Sequence, residues 1–401
     1  MSGPLKEAYG VFRSVWHGAP GGTSRYKKES LFLLLLMLPA ALQAEWVSFP
    51  SWGFFIDLPE EYELSDGDMK STYTFVSAAG PMVSLKVYPA GAYRSAEDLA
   101  ETIRKQLNNR GETEVFEYRN KKAVMLELDF SLGNAAVSGF GLCLELDGGS
   151  ASGTPFLLAL AYGDKADRGI AVLHLSCLDA IAPNAGSLRA PGPITAYSFP
   201  RGGRKTAALA GGAGEALFFE HDAEAAQFVV DREDLVLRRY VQTPLWKEAW
   251  ERFYRIIYRD SFERVQNAAF VLERSWSGSA PDARALADKA LKWVQDFKYE
   301  RDLEGSDFVN LVTAAAEGRG DCDSRALLWA VILEHANIPA GIIVSAEYGH
   351  AMGIVDAEGA GARFPMDGTR WLVAETTAHV DIGMIGQSMS DTNKWLGFRF
   401  E

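Results

Sequence analysis

Between Trp46 and about Pro200, short apolar runs alternate with turn residues, a pattern that predicts strands. The runs are Phe54–Pro59, Met82–Tyr88, Ala123–Phe130, Phe140–Leu146, Phe156–Ala161 and Ile170–Leu175. One stretch has a different period. Leu99, Ile103 and Leu107 recur every fourth residue, behind a capping-box-like start in which Asp98 follows Ser95 by three. A helix therefore lies between the second and third runs, and this part of the chain reads as an α+β layer with a predominantly antiparallel sheet.

Residues 184–214 are rich in Gly, Ala, Pro and Arg and mark a boundary. Gly212-Ala213-Gly214 lacks the third glycine of a dinucleotide fingerprint and follows no clear strand, so it reads as loop. Beyond it Trp246, Trp250, Phe253 and Ile257 fall at helical spacing, an aromatic stripe that reads as core. A second helix runs from about Ala283 to Phe297 with Ala287, Ala290, Leu291 and Val294 inward, and a third from Ala326 to His335, stopped by Asn337-Ile338-Pro339. Strands follow at Ile342–Val344, Gly349–Val355 and Trp371–Thr377. The expected organisation is a leader over 1–44, an α+β domain over 45–200, a linker and helical segment over 201–280, and a final domain over 281–401.

The longest apolar run, Leu31–Leu42, is too short for a transmembrane helix, which needs roughly 20 residues. With Tyr26-Lys27-Lys28 before it and Leu42-Gln43-Ala44 after it, the run reads as a signal peptide cut before Glu45. The basic flank sits far from Met1, which suggests that the true start lies downstream. Residues 1–44 carry five basic and two acidic residues, so their removal takes the formal charge from −13 to −16. An acidic chain of this kind presents no phosphate-tracking surface, and nucleic acid is not expected as a partner. The chain is expected to be exported, periplasmic or extracellular, without a transmembrane anchor after cleavage.

Three cysteines, Cys143, Cys177 and Cys322, are an odd number for an exported protein, which points to a free thiol or an intermolecular bridge. Cys143 and Cys177 lie in β-like apolar stretches and are free to pair or to stay buried. Cys322 stands apart. The run Gly318-Arg319-Gly320-Asp321-Cys322-Asp323-Ser324-Arg325-Ala326 passes from a glycine-rich turn into the apolar helix, so Cys322 occupies a first helical turn. Unpaired N–H groups and the positive end of the dipole are expected there to lower its pKa below about 8.5 and to hold an oxyanion. Asp321 and Asp323 are expected to cap the helix, with Arg325 neutralising them. His350 opens one downstream strand and Glu375 lies near the end of another, so antiparallel neighbours would set them side by side. Cys322, His350 and Glu375 are thus candidates for nucleophile, base and orienting group. Zinc on Cys322, His350 and Asp323 lacks any C-x-x-C or H-x-x-x-H pairing, and no metal or organic cofactor is expected. Neither a Gly-x-Ser-x-Gly elbow nor a phosphate-binding Gly-x-x-x-x-Gly-Lys loop is present. Among the remaining histidines, His379 falls close enough to Glu375 to lie near the rim of the site.

Two resemblances add to this reading. Gly53-Phe54-Phe55-Ile56-Asp57-Leu58-Pro59, followed by strands and the Ser95-Ala96-Glu97-Asp98-Leu99 helix, loosely resembles the PsbP-like sandwich of exported bacterial proteins. More specifically, residues 283–386 resemble the transglutaminase-like superfamily, whose fold is related to the papain-type thiol enzymes. The similarity lies in the helix ending at Tyr299, in Gly320-Asp321-Cys322 opening a helix that ends at Asn337-Ile338-Pro339-Ala340, in Gly349-His350-Ala351, and in Trp371 followed by Glu375-Thr376-Thr377. It implies Cys322 as nucleophile, His350 as general base and acid, and Glu375 as the group that orients His350. The commonest third member is Asp in a Trp-x-x-x-Asp-Pro-Thr setting, which Glu375 replaces with a side chain one methylene longer.

The expected fold is therefore an N-terminal antiparallel-sheet sandwich with a C-terminal transglutaminase-like core. The expected function is attack on a peptide, isopeptide or glutamine-type amide in protein or peptide, peptidoglycan included. Hydrolysis is preferred over cross-linking, because bacterial members of the superfamily look more like peptidases. The alternative is a catalytically inactive adaptor of the cell envelope on the same fold.

Overall fold

The computed structural model describes residues 46–78, 80–147, 153–276, 282–301 and 306–400. The expected leader and its apolar run lie outside the described residues. The chain divides into two compact units at Leu178/Asp179, earlier than the Gly- and Pro-rich stretch where the composition changes.

In the first unit β1 (Val47–Phe49) and β2 (Phe54–Ile56) form an antiparallel hairpin. Seven strands make one antiparallel sheet: β3 (Tyr62–Gly67), β4 (Thr72–Ser77), β5 (Met82–Tyr88), β6 (Thr113–Tyr118), β7 (Lys121–Leu132), β8 (Ala135–Glu145) and β9 (Phe156–Asp164), in the order β3-β4-β5-β9-β8-β7-β6. Both edge strands, β3 and β6, are largely exposed and intersperse charged or polar residues with apolar ones, so no continuous apolar run announces them. Helix α1 (Ala96–Gln106) lies on β7 and β8 and buries Leu99, Ala100 and Ile103 among Val124, Leu126 and Leu128. Its start is as expected, with the Ser95 hydroxyl accepting the Asp98 N–H at 3.2 Å. The run Ile170–Leu175 is not a strand. Asp167 caps a short turn, and α2 (Ala171–Asp179) follows with Leu173, His174, Cys177 and Leu178 buried, a spacing that belongs to a helix face. Cys177 is therefore helical, and Cys143 and Cys177 are buried and unbridged.

The second unit begins with a short strand, β10 (Ile181–Ala182), and helix α3 (Pro193–Ser198). The turn Gly212-Ala213-Gly214 closes a hairpin of β11 (Arg204–Ala208) and β12 (Glu215–Phe219). Then come α4 (Asp222–Leu237), α5 (Trp246–Trp276), α6 (Ala283–Gln295), the short pairing strand β13 (Lys298–Tyr299), α7 (Leu311–Glu317) and β14 (Arg319–Gly320). The stripe of α5 is core as expected at Phe253 and Ile257, with Tyr254 and Tyr258 beside them, while Trp246 and Trp250 stay partly exposed. Arg252 and Arg259 of α5 are also buried, and Arg264 is nearly so. Each is paired: Arg252 with Glu233, Arg264 with Asp260 and Asp222, and Arg259 with the carbonyls of Asp179 and Ile181.

Helix α8 (Cys322–His335) is buried on nearly every side and packs on β15 (Ala340–Ser345) and β16 (His350–Val355). Those strands belong to a five-stranded antiparallel sheet completed by β17 (Arg363–Met366), β18 (Thr369–Ala374) and β19 (Leu396–Arg399), in the order β17-β18-β16-β15-β19. Asn337 stops α8 in the left-handed region (φ 57°), and the N–H groups of Ile338 and Asn337 return to the Leu333 and Glu334 carbonyls at 3.0 and 3.1 Å, a Schellman closure. Both units mix helices with antiparallel sheet, so the chain is α+β.

Candidate active site

Three local features bring the cysteine, histidine and glutamate into one region. Helix α7 ends at Gly318, left-handed (φ 64°), which turns the chain so that Arg319–Gly320 pairs with Lys298–Tyr299 and α8 opens directly after it. Gly353 on β16 lets α8 come close, because a Cβ there would lie 2.4 Å from the buried ring of Trp329. The Gly353↔Ala374 register of β16 and β18 then sets the start of one strand beside the end of the other.

His350 and Glu375 meet at that junction. His350 Nε2 lies 2.8 Å from Glu375 Oε2. The other carboxylate oxygen, Oε1, accepts the N–H and hydroxyl of Thr377 at 2.8 and 2.6 Å, and Gln295 of α6 ties down the Glu375 carbonyl at 2.9 Å. Burial disfavours the Glu375 anion, but the bonds from His350 and Thr377 outweigh it and hold its pKa below the ordinary value. An ionised Glu375 fixes the imidazole with Nε2 engaged and leaves Nδ1 as the nitrogen available for a proton from elsewhere. Trp395 stands edge-on to the imidazole at 6.3 Å.

Cys322 is at the first position of α8 and is 2% exposed. Helix α8, which Cys322 opens, packs on β16, the strand that His350 opens. The two aspartates divide their work differently from the expectation that both cap. Asp321 is the cap, accepting the Ser324 N–H at 2.8 Å and the Ser324 hydroxyl at 2.5 Å. Asp323 instead accepts the Cys322 thiol at 3.2 Å on Oδ2 and the Tyr254 hydroxyl on Oδ1. Tyr254 is the participant the sequence reading missed. It lies four residues beyond Trp250 on the aromatic stripe of α5, with ring centroids 6.3 Å apart, and nothing local marks it as a partner of a residue 69 positions away.

The electrostatics overturn one expectation. The thiol is pushed up, not down, by burial first and then by the charges of Asp323 and Asp321, against which the Ala351 N–H is a smaller opposing effect. Asp321 is itself raised to about 7 by burial and by the Asp323 charge, with the Ser324 bonds working against that rise. Arg325 does not salt-bridge either carboxylate: its Nε donates to the Gly320 carbonyl and its NH2 to that of Phe297.

Asp321, Cys322 and Asp323 each bring a ligand-type atom within 4.8 Å of the others, but the hydrogen bonds just described already engage all three. His379 is largely exposed and faces Asp296 at 3.7 Å.

No family model matches the sequence, and neither does any curated protein. Solved structures give only loose likenesses. Cyanobacterial PsbP (CyanoP) from Synechocystis matches 36% of this chain and 95% of its own, with 11% identity and a TM-score of 0.29. A protein of Bacteroides thetaiotaomicron matches 54% of this chain and 78% of its own, with 9% identity and a TM-score of 0.21. The first faintly echoes the PsbP-like pattern noted in the sequence, and at such scores neither carries an argument. The transglutaminase-like resemblance rests on the residues alone. No helix among the described residues is long and apolar enough to cross a membrane.

Proposed function

We propose that this chain is an exported thiol enzyme with a transglutaminase-like core, acting on peptide, isopeptide or glutamine-type amides through Cys322, His350 and Glu375. The observation that carries the reading is the 2.8 Å bond between His350 Nε2 and the buried, hydrogen-bonded Glu375 carboxylate, on the strand against which the Cys322 helix packs. A histidine fixed in this way on an ionised carboxylate is an oriented base, and we assign it to Cys322, which opens the helix packed on that histidine's strand.

In this mechanism His350 Nδ1 takes the thiol proton as sulfur attacks the carbonyl carbon, and Glu375 stabilises the imidazolium. The oxyanion develops near the N–H groups of the first two residues of α8, Cys322 and Asp323. His350 then protonates the leaving amine, and water or a second amine releases the acyl group. Hydrolysis is the preferred outcome, and peptide, with peptidoglycan peptides among the choices, is the preferred substrate class. The likeness that motivates both preferences is to the superfamily as a whole.

The raised pKa of Cys322 favours a second reading, a binding scaffold that keeps the fold without the chemistry. The two separate on acyl transfer. With p-nitrophenyl acetate as acyl donor, mass spectrometry should find the acetyl group on Cys322 and not on the buried Cys143 and Cys177. Cys322→Ala should abolish the adduct, and His350→Ala should slow it by about 10²- to 10⁴-fold, the usual worth of general base catalysis. No adduct on Cys322, or one indifferent to His350, would sink the enzymatic reading and leave the scaffold.

A further inference from the structure

We propose that Asp323, buttressed by Tyr254, holds Cys322 as a neutral thiol in the resting site, so that the thiolate forms only when His350 takes the proton with substrate bound. The proposal rests on the reading of Cys322 as the nucleophile. Its basis is the contact itself. The Cys322 sulfur donates to Asp323 Oδ2 at 3.2 Å, and the other oxygen of that carboxylate receives the hydroxyl of Tyr254.

An aspartate in the first turn of a helix would ordinarily cap it, but Asp321 already does so, which leaves Asp323 for the thiol. Tyr254 is 1% exposed and wedged against Trp250, Phe253 and Phe398, so the carboxylate it touches has little freedom to turn away. Its own hydroxyl is raised well above the ordinary value by burial and by Asp323, which keeps it a proton donor.

The charged and titratable groups around the sulfur come from several elements. Its own helix supplies Asp321, Asp323 and Arg325; α5 supplies Tyr254; the segment after α6 supplies Tyr299 and Arg301; β16 and the end of β18 supply His350 and Glu375. The guanidinium of Arg325 donates to backbone carbonyls, and Arg301 reaches toward Asp307 at 4.0 Å. Among the described residues, the one charged group hydrogen-bonded to the sulfur through its side chain is the Asp323 carboxylate. A carboxylate accepting from a thiol stabilises the S–H form, the opposite of a cation beside it. The direction found for the Cys322 thiol agrees. A protonated thiol also resists oxidation, which suits a nucleophile meant to meet substrate outside a reducing compartment.

Asp323 is a positioning residue here, since it acts through Cys322, and its signature is a pH profile. In the full chain, the rate of iodoacetamide modification of Cys322, followed by peptide mapping, should rise with pH around a midpoint well above the free-thiol value of about 8.5. Asp323→Asn keeps the shape and removes the charge. Its midpoint should fall by about one unit or more, and Cys322 should react several-fold faster near neutral pH even though a more acidic thiolate is intrinsically less nucleophilic. Asp323→Ser, also uncharged, should shift the midpoint the same way and guards against a distortion peculiar to Asn. A midpoint that stays put or rises in both variants overturns the proposal. Acetylation that no longer depends on His350, with the midpoint still lowered in Asp323→Asn, would remove the triad and leave the hold on the thiol standing. Loss of acetylation in His350→Ala with no shift in the Asp323 variants would do the reverse.

Discussion

At the scale of single residues, the site sets one carboxylate against another. Glu375 is ionised because three donors surround it, whereas Asp321 is pushed the other way by burial and by its neighbour Asp323. The consequence for stability has a definite sign. A carboxyl raised from 3.8 to about 7 is most comfortable when protonated, so it contributes stability below the ordinary value and loses it as pH rises through about 7. Asn at position 321 can still cap the helix but does not titrate. Urea midpoints of the wild type and of Asp321→Asn should be similar near pH 4. The variant should then gain on the wild type as pH climbs to about 7, by up to about 4 kcal/mol, and the gap should be constant above that. A gap independent of pH would mean that Asp321 is ionised throughout.

At the scale of elements, Cys322 owes its place to the approach of α8 to the sheet, and that approach rests on the absence of a side chain at Gly353. A Cβ there would meet the Trp329 ring at 2.4 Å, and the ring has no room to retreat, because it is fully buried and its Nε1 donates to the Ala287 carbonyl at 3.0 Å. Gly353→Ala should therefore cost about 1–3 kcal/mol, as overpacking does, and should also lower acetylation of Cys322 by shifting α8 relative to Ala351. Unfolding midpoint and acetylation rate measured on the same variant check both effects. A variant as stable and as reactive as the parent would show that the helix position is set elsewhere. The elements that carry the candidate triad were legible in sequence: Asn337-Ile338-Pro339 announced the end of α8, and the apolar runs announced β15, β16 and β18, whereas α4, α7, β17 and β19 went unannounced. Elements without an apolar run were not. Edge strands β3 and β6 are largely exposed and break up their apolar residues with charged or polar ones, and the strand expected at Ile170–Leu175 proved helical because a short apolar run fits either period. The candidate triad could be listed from sequence because each member has a local signal. The Asp323–Tyr254 contact could not, since it depends on how α5 crosses α8.

At the scale of the whole molecule, the site groups described above all belong to the second unit, from Tyr254 on α5 through Gln295 on α6 to Thr377 after β18. The apolar core behind it is likewise drawn from residues 209–400, with its own buried ion pairs around Arg252 and Arg264. The first unit has a sheet and a helix packed around an apolar core of their own. Residues 179–401 expressed alone should therefore fold and should keep the rate and pH midpoint of Cys322 modification within about a factor of two of the full chain, since local contacts set the thiol's pKa. Near-UV circular dichroism reports the packing of the Trp- and Tyr-rich core, and iodoacetamide kinetics report the site. If the fragment packs normally but Cys322 becomes markedly more reactive, the first unit acts on the site, and its role would be regulation of access. If both measurements match the full chain, the first unit is free to serve recognition of whatever surface presents the substrate, and binding assays of residues 45–178 become the way to find it.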